Sequence, residues 1–256
     1  MPEPKTLAGK LRGGDAVVTG WSALAVPILA ELMGRAGYRA VTLDLQHGMH
    51  DIASVRDAFA SLALTGSHRL ARIPVGDFGT ASRLLDIGAE LIIAPMINSK
   101  ADAIGFAEAM KYPPVGKRSW APHRAAMLNG QALPDYLRTA NDETLALAMI
   151  ETPDAIAALD DILAVPGIDG IFVGPSDLSL TLAGGAALDP NGAETTRVAA
   201  ELARRTKAAG KIAGIFCMTS EKVAENRSAG YDLMAYGMDL MLFRDAAGAA
   251  RAACDI

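Results

Sequence analysis

The stretch LALAMIETPDAIAALDDIL, residues 145–163, decides the fold. Its first six residues are apolar throughout, which is typical of a strand that is buried on both faces of a parallel sheet. Glu151 follows, and Thr152-Pro153-Asp154 is a good helix start, because Thr caps free N–H groups, Pro suits the first turn and Asp complements the helix dipole. Apolar residues then recur at helical spacing. The stretch therefore predicts one strand–turn–helix unit with Glu151 in the turn.

The same unit recurs eight times along the chain. No Gly-x-Gly-x-x-Gly turn follows any of the strands, which disfavours a doubly wound fold that binds a dinucleotide. Eight units instead predict a closed α/β barrel, the (β/α)8 TIM barrel, as a single domain over residues 1–256 with an extended C-terminal helix. The predicted strands are Ala16–Gly20, Ala40–Leu45, Arg69–Ile73, Leu91–Pro95, Leu145–Ile150, Gly170–Val173, Ile212–Phe216 and Leu233–Tyr236.

Composition excludes several classes of partner. The formal net charge of -5 gives no basic surface for nucleic acid. A membrane span is not expected either, since the apolar run Trp21–Ala30 is closed by Glu31 and Arg35. Residues 1–14 mix Pro, Glu, Lys and Arg without an apolar core and do not resemble a secretory signal, so a cytoplasmic location is expected.

One segment interrupts the alternation of strands and helices. Residues 112–143 are too long for an ordinary connection between a helix and the next strand. We expect this segment to be an elaboration of the barrel, either a lid or a contact between subunits.

Polar side chains collect where the predicted strands end. In parallel barrels the active site lies at the C-terminal ends of the strands, because the loops there converge around one mouth. The residues at these ends are Trp21 after the first strand, Asp44, Gln46 and His47 at the end of the second, Arg72 in the third, Glu151 after the fifth and Asp177 after the sixth.

Glu151 and Asp177 follow consecutive strands, and neighbouring strands lie about 4.8 Å apart, so the two carboxylates can reach one ion. Two oxygen ligands favour a hard cation such as Mg²⁺ or Mn²⁺, which keeps open positions for water and substrate. The alternative is that each acid only caps the helix that it precedes. For the pair together, the sequence favours a metal site.

The segment GPSDLS, residues 174–179, follows the sixth strand. Gly174 and Pro175 would make a sharp bend, after which backbone N–H groups would point at an anion such as a substrate carboxylate. An ordinary turn with a Ser cap is the alternative.

His47 is the candidate general base, because it lies at the mouth and histidine side chains can take up and release protons near neutral pH. Its orienting carboxylate would be Asp44 or Asp86, the latter from a neighbouring helix or subunit. Arg72 either makes a structural salt bridge or neutralises an oxyanion that develops on an enolate. Trp21 either packs in the barrel or forms a wall of the pocket.

Two absences narrow the chemistry. No predicted strand interior contains a Lys, which disfavours an imine mechanism. The turns after the last two strands are not rich in Gly, unlike a typical barrel phosphate site, so we expect an unphosphorylated substrate.

Seven short motifs are spread over nearly the whole chain. They are DLQHG (44–48), RIP (72–74), LLDIGA (84–89), APM (94–96), YPPVGKRS (112–119), MIET (149–152) and GIDGIFVGPSDLS (167–179). Together these motifs resemble the metal-dependent pyruvate aldolases of the hydroxy-oxo-heptanedioate aldolase (HpcH/HpaI) and citrate lyase family. The resemblance implies a barrel that assembles as a homo-hexamer with exchange of terminal helices.

The resemblance also implies roles for individual residues. Glu151 and Asp177 would hold Mg²⁺, Mn²⁺ or Co²⁺, and pyruvate would chelate this ion through its carboxylate and keto oxygen. Arg72 would bind the keto or enolate oxygen, and His47 would act through water or on the hydroxyl group. The backbone N–H groups of Ser176 and Asp177 would bind the carboxylate.

Other positions depart from the family pattern or extend it. Gln46 stands where several relatives have Glu, and Met149 stands where some have Gln, so the electrostatics around the ion would differ. Trp120 occupies a loop position that lies near the aldehyde in similar aldolases, which suggests an aromatic gate.

The leading hypothesis is reversible aldol cleavage or addition of a 4-hydroxy-2-oxo acid, giving pyruvate and an aldehyde through a metal-held enolate. The second hypothesis keeps the barrel and the metal but replaces aldol chemistry with decarboxylation of oxaloacetate or another enolate-forming reaction. The third is a non-catalytic scaffold that binds keto acid and metal.

Overall fold

Eight parallel strands form the centre of the molecule and close into a barrel in the order β1 to β8. The structure is a computed structural model that describes residues 6–254. Each strand pairs with its neighbours in sequence, and β8 pairs with β1. The strands are β1 Val17–Ser22, β2 Ala40–Asp44, β3 His68–Arg72, β4 Leu91–Ala94, β5 Leu145–Ile150, β6 Gly170–Val173, β7 Ile212–Phe216 and β8 Leu233–Met238.

Helices surround the barrel and, at its two ends, cover part of it. The helices are α1 Leu7–Arg12, α2 Pro27–Arg35, α3 Ile52–Ala63, α4 Phe78–Asp86, α5 Lys100–Met110, α6 His123–Leu128, α7 Leu133–Glu143, α8 Pro153–Ala157, α9 Leu159–Leu163, α10 Pro175–Leu182, α11 Ala193–Ala208, α12 Ser220–Ser228 and α13 Asp239–Ala252. The predicted fold, a single-domain (β/α)8 barrel with a C-terminal helix, is confirmed.

The strands are apolar throughout because each of their faces packs into a different core. In β5, Leu145 and Leu147 belong to the cluster that fills the barrel interior. Ala146 and Ala148 belong to the cluster between the strands and the surrounding helices. Alternate side chains of a strand point to opposite faces, so a strand with two buried faces needs no polar position.

Helix α1 covers the N-terminal end of the barrel. Its Leu7 and Leu11 are 1% exposed and pack with the interior cluster. Arg12 donates to a carboxylate oxygen of Asp169, which lies just before β6, at 2.7 Å. The opening that can admit a substrate is therefore at the other end, where the strands finish.

The predicted strands Leu145–Ile150, Gly170–Val173 and Ile212–Phe216 agree with the structure at both ends, and the other predictions differ from it at one or both ends. Trp21 was expected after the first strand, but it lies inside β1, because the pairing with β2 continues through Ser22 opposite Leu43. Asp177 does not end a strand directly; β6 stops at Val173 and Asp177 lies in the first turn of α10.

The elaboration at residues 112–143 contains α6 and α7 and has a small core of its own. Helix α7 contacts α1, and Lys111 just before the segment donates to the carbonyl oxygens of Asn141 and Thr144. These contacts place the segment beside the covered, N-terminal end of the barrel. Within this chain it is therefore not a lid over the mouth.

None of the helices within residues 6–254 combines the length and the apolar character that a crossing of the membrane requires.

Candidate functional site

A cavity of about 260 Å³ lies at the C-terminal ends of the strands. It collects side chains from every strand except β4 and from the residues that follow β1, β2, β6, β7 and β8, as expected for the mouth of a parallel barrel. Its lining residues are Trp21, Ala23, Asp44, His47, Arg72, Met149, Phe172, Gly174, Pro175, Ser176, Asp177, Phe216, Met218, Met238 and Leu240.

Glu151 stands directly after β5, and its side chain is held in one orientation. Its Oε1 accepts the backbone N–H of Met96 at 2.9 Å, and Met96 has a left-handed backbone with φ of 56°. The carbonyl oxygen of Glu151 accepts the hydroxyl of Thr181, on α10, at 2.8 Å. Glu151 is only 1% exposed, yet its Oε2 has no hydrogen-bond partner in the described chain.

Gly174 provides the space that Glu151 uses. A Cβ atom at position 174 would lie 2.5 Å from Oε2 of Glu151 and 2.4 Å from Cε of Met149. Both distances are shorter than real Cβ contacts, so any side chain here would displace the carboxylate or the methionine. The glycine after β6 therefore permits the close approach of Glu151.

The electrostatic state of Glu151 indicates that a cation would fit beside it. Burial raises the pKa of the Glu151 carboxyl to about 7; the Met96 N–H opposes the rise, and the negative charge of Asp177 adds to it. A cation between two carboxylates would favour their ionised forms.

The donor set is that of a hard metal. No group of three or more His, Cys, Asp or Glu side chains within residues 6–254 could hold a metal by protein ligands alone. Two carboxylates are sufficient for Mg²⁺ or Mn²⁺, which take further ligands from water and substrate. The residues present therefore fit such an ion.

The first turn of α10 supplies free backbone donors. Gly174 is the N-cap residue and Pro175 is the first helical residue. In the first hydrogen bond of the helix, the N–H of Leu178 donates to the carbonyl oxygen of Gly174 at 2.9 Å. The N–H groups of Ser176 and Asp177 consequently have no backbone acceptor in the described chain. An anion at a helix N-terminus is favoured by such donors and by the helix dipole.

Arg72 and Asp44 form a buried, two-pronged ion pair. Nε and Nη2 of Arg72 donate to the two carboxylate oxygens of Asp44 at 2.9 and 2.6 Å. Burial alone would raise the pKa of Asp44, but the hydrogen bonds and charge of Arg72 outweigh it and lower the pKa below its ordinary value. Nη1 of Arg72 makes no hydrogen bond to any described residue, and Arg72 lines the cavity.

Trp21 supports this pair. Its indole N–H donates to Asp44 at 3.2 Å, and its ring lies 4.9 Å from the guanidinium carbon of Arg72. Both interpretations of Trp21 therefore apply, because it packs in the barrel interior and also lines the cavity.

His47 lies at the exposed rim of the cavity. Its backbone N–H donates to Asp44 at 3.4 Å, but its ring has no hydrogen-bond partner within residues 6–254. Asp86, the other expected orienting group, pairs with Arg118 at 2.6 Å. Within one chain, neither carboxylate orients the imidazole, because Asp44 is committed to Arg72 and Asp86 to Arg118.

Trp120 does not line the cavity. It packs against Tyr112 and Tyr136, in the elaboration after α5, and is 41% exposed. Contact with an aldehyde in the mouth would require a second subunit, and the aromatic gate stays a prediction.

The sequence alone did not single out the apolar part of the cavity. Phe216, Met218, Met238 and Leu240 line it from the ends of β7 and β8 and from the start of α13. The sequence feature that could have identified them is their position at strand ends. Apolar residues at such positions, however, are indistinguishable in sequence from ordinary core residues. Met96 gave no signal, because its contribution is a backbone N–H.

Comparison with known proteins places these features in one family. The family model described as HpcH/HpaI aldolase/citrate lyase matches residues 18–246. A hydroxypyruvate/pyruvate aldolase of Rhizorhabdus wittichii is 38% identical over 91% of this chain and 92% of its own length. Another, from Roseovarius nubinhibens, is 34% identical over 96% of both chains.

A solved structure agrees with the sequence comparisons. The crystal structure of an HpcH/HpaI aldolase/citrate lyase family protein from Burkholderia cenocepacia superposes with a TM-score of 0.86 at 28% identity, covering 98% of this chain and 99% of that chain.

Proposed function

Because the chain belongs to the HpcH/HpaI aldolase/citrate lyase family and is an aldolase, we propose that it catalyses the reversible, metal-dependent addition of pyruvate to an aldehyde. The product is a 4-hydroxy-2-oxo acid, and cleavage is the reverse reaction. The observation that carries the proposal is the arrangement of Asp177 and the Arg72–Asp44 pair around one cavity. Glu151 lies against Gly174 of the cavity wall, close enough for the charge of Asp177 to act on its carboxyl group.

A divalent metal held by Glu151 and Asp177 supplies, when bound, the positive charge that polarises the keto acid. The N–H groups of Ser176 and Asp177 bind the pyruvate carboxylate. With its carboxylate bound there, pyruvate would direct its keto group towards Arg72, which lines the same cavity.

Arg72 stabilises the enolate. Its free Nη1 donates to the oxygen that becomes negative when pyruvate loses a methyl proton. Asp44 fixes the guanidinium plane through two hydrogen bonds, so no reorganisation is needed during the reaction. His47, at the rim, moves the proton to or from the hydroxyl group of the aldol product, directly or through water.

The test is to incubate the purified enzyme with pyruvate, Mn²⁺ and a panel of aldehydes and to identify products by NMR. We expect hydroxy-oxo acids, and we expect EDTA to abolish their formation. Absence of product across a broad panel would contradict the proposal.

Decarboxylation of oxaloacetate reaches the same enolate by loss of CO₂, so the same residues would serve it. The two reactions are compared by kcat/KM, and we expect the aldol reaction to be the more efficient. A purely scaffolding role is not proposed, because the relatives of this chain are aldolases.

We further propose that the enzyme is a homo-oligomer, a hexamer as the family resemblance implies. Helix α13 buries only Asp239 in its own chain, while Leu242 and Phe243 are 48% and 66% exposed. A second copy would cover these side chains, and could bring Asp86 to His47. Light scattering after gel filtration tests this, and a monomer would contradict it.

A further inference from the structure

The cavity at the mouth has two unlike sides, and only one of them is needed for pyruvate. The polar lining residues end or follow β2, β3 and β6 and form the polar side; they are Asp44, His47, Arg72, Ser176 and Asp177. The lining residues after β1 and at or after the ends of β7 and β8, three strands that are consecutive around the barrel, have apolar side chains and form the apolar side; they are Ala23, Phe216, Met218, Met238 and Leu240. If the proposed function holds, pyruvate occupies the polar side, and the aldehyde must approach from the apolar one.

The apolar side is held in place by a buried carboxylate. Asp239, 6% exposed, accepts the backbone N–H of Ala23 at 2.8 Å and the hydroxyl of Ser22 at 2.9 Å. His50 contacts the same hydroxyl through Nε2 at 3.0 Å. Leu240, the next residue of α13, is therefore fixed against the loop that follows β1.

Positive charge is missing from the lining of this side. Arg72 is the only Lys or Arg among the residues that line the cavity, and its Nε and Nη2 are committed to Asp44. Lys222, which lines a small neighbouring cavity together with Met218, pairs with Glu225 at 2.7 Å. An anionic group on the aldehyde would lose water here without gaining a partner.

The rim offers apolar contact instead. Met218 and Leu240 are 45% and 43% exposed, so their side chains have apolar surface available to a ligand. Burying that surface against an alkyl group is favourable in proportion to the area removed from water.

We propose that the aldehyde accepted by this enzyme is uncharged and carries an apolar substituent, which packs on Met218 and Leu240. Pyruvate C3 loses a proton and bonds to the aldehyde carbon, and the aldehyde oxygen gains a proton. Aldehydes that end in a carboxylate or a phosphate are discriminated against.

The first experiment compares two acceptors of equal chain length, butanal and 4-oxobutanoate, with pyruvate and Mn²⁺. We expect kcat/KM to favour butanal by about tenfold or more, with the difference mainly in the KM for the aldehyde. Equal values, or a preference for 4-oxobutanoate, would overturn the inference.

The second experiment moves a charge into the apolar side. Met218→Lys should shift the ratio of the two kcat/KM values towards 4-oxobutanoate by about tenfold, and Leu240→Lys should shift it in the same direction. Met127→Lys is the matched control, because Met127 lies on α6 and is 73% exposed away from the cavity. The inference would also be overturned if the ratio of the two kcat/KM values stayed unchanged in both Met218→Lys and Leu240→Lys, or if it shifted equally in Met127→Lys.

A third measurement separates this inference from the proposed function. Exchange of the pyruvate methyl protons in D₂O with Mn²⁺, without any aldehyde, reports enolate formation alone. If the methyl protons exchange but the enzyme does not prefer butanal to 4-oxobutanoate, only the inference about the aldehyde is refuted. Absence of exchange contradicts the proposed function itself.

Discussion

Both ends of the barrel contain charged side chains with little exposure, but Lys111 at the N-terminal end uses its ammonium group more fully than Glu151 and Arg72 at the mouth use their side chains. There the ammonium of Lys111, 1% exposed, donates to Asn141 O at 2.8 Å, Thr144 O at 2.5 Å and Asp169 Oδ2 at 2.7 Å. At the mouth, Oε2 of Glu151 and Nη1 of Arg72 have no partner in the described chain.

The same contrast holds for the cavities. A cavity of about 330 Å³ at the N-terminal end is larger than the one at the mouth, but its His68 and Arg69 both lie beside Glu90. Size therefore does not identify the site. The state of the charged groups does: His68 and Arg69 are paired with Glu90 in the larger cavity, whereas Oε2 of Glu151 and Nη1 of Arg72 stay available to a ligand at the mouth. On the proposed function, the charges at the mouth serve the reaction, while the paired charges at the covered end serve folding.

The largest effect is expected for Glu151→Gln. This substitution removes one carboxylate from the proposed metal site but keeps the shape of the side chain. We expect kcat/KM to fall about 10³-fold, while the Tm does not fall, because a buried acid is replaced by a neutral amide. Steady-state kinetics and calorimetry measure both. Asp154→Asn, an exposed acid on the next helix, is the control and should leave turnover unchanged. If turnover by Glu151→Gln stayed within tenfold of wild type, the claim that this carboxylate at the mouth is needed for the reaction would be refuted.

Lys111→Met should give the next largest effect, this time on stability. It leaves Asp169 with less compensation in a buried site, and the free energy of unfolding should fall by about 3–5 kcal/mol. Turnover per folded molecule should not change. Lys207→Met is the matched comparison, because Lys207 also pairs with a buried aspartate, Asp232, but is itself 41% exposed. Its expected loss is about 1 kcal/mol or less, and equal losses in a urea titration would show that burial of the lysine is irrelevant.

Arg72→Lys should lower kcat/KM about 10²-fold. A lysine keeps the charge but cannot bind both oxygens of Asp44 and still present a further donor to the substrate. The rate of pyruvate methyl exchange should fall by a similar factor, since both report the enolate. Arg244→Lys, an exposed arginine on α13, serves as the control. A fall in aldol turnover without a fall in exchange would place Arg72 at another step.

Gly174→Ala should have the smallest effect, about tenfold weaker Mn²⁺ binding measured by electron paramagnetic resonance. The backbone of Gly174, with φ -98° and ψ 91°, lies at negative φ, where L-residues are found, so the cause would be the contact of Cβ with Glu151. Gly79→Ala is the control, because its Cβ would meet nothing closer than 3.6 Å. Unchanged Mn²⁺ affinity in Gly174→Ala would show that Glu151 can adapt.

The fold could be predicted from the sequence because it depends on a pattern that repeats. A strand such as Leu145–Ile150, apolar at every position and followed by a capped helix, is specified by local residues alone. The end of β1 is not specified by local residues, because its last pairing, Ser22 opposite Leu43, depends on how far the neighbouring strand extends.

The candidate site could be predicted in part for the same reason. Arg72, His47 and Asp177 were found from their places near strand ends, and the structure brings them to one cavity. The partner of Asp86 could not be found, because Arg118 comes from a loop 32 residues further along the chain. The support that Met96 gives Glu151 depends on a backbone conformation that side-chain patterns do not encode.

Asp239 joins two parts of the molecule that a change in sequence would otherwise alter separately. The carboxylate that begins α13 is bound to the loop after the first strand, so the last helix and the first turn of the barrel form one mechanical unit. A mutation that tilts the last helix would therefore also move Leu240 at the mouth. Substitutions in the C-terminal helix would consequently change the substrate specificity, even though none of them contacts a reacting atom.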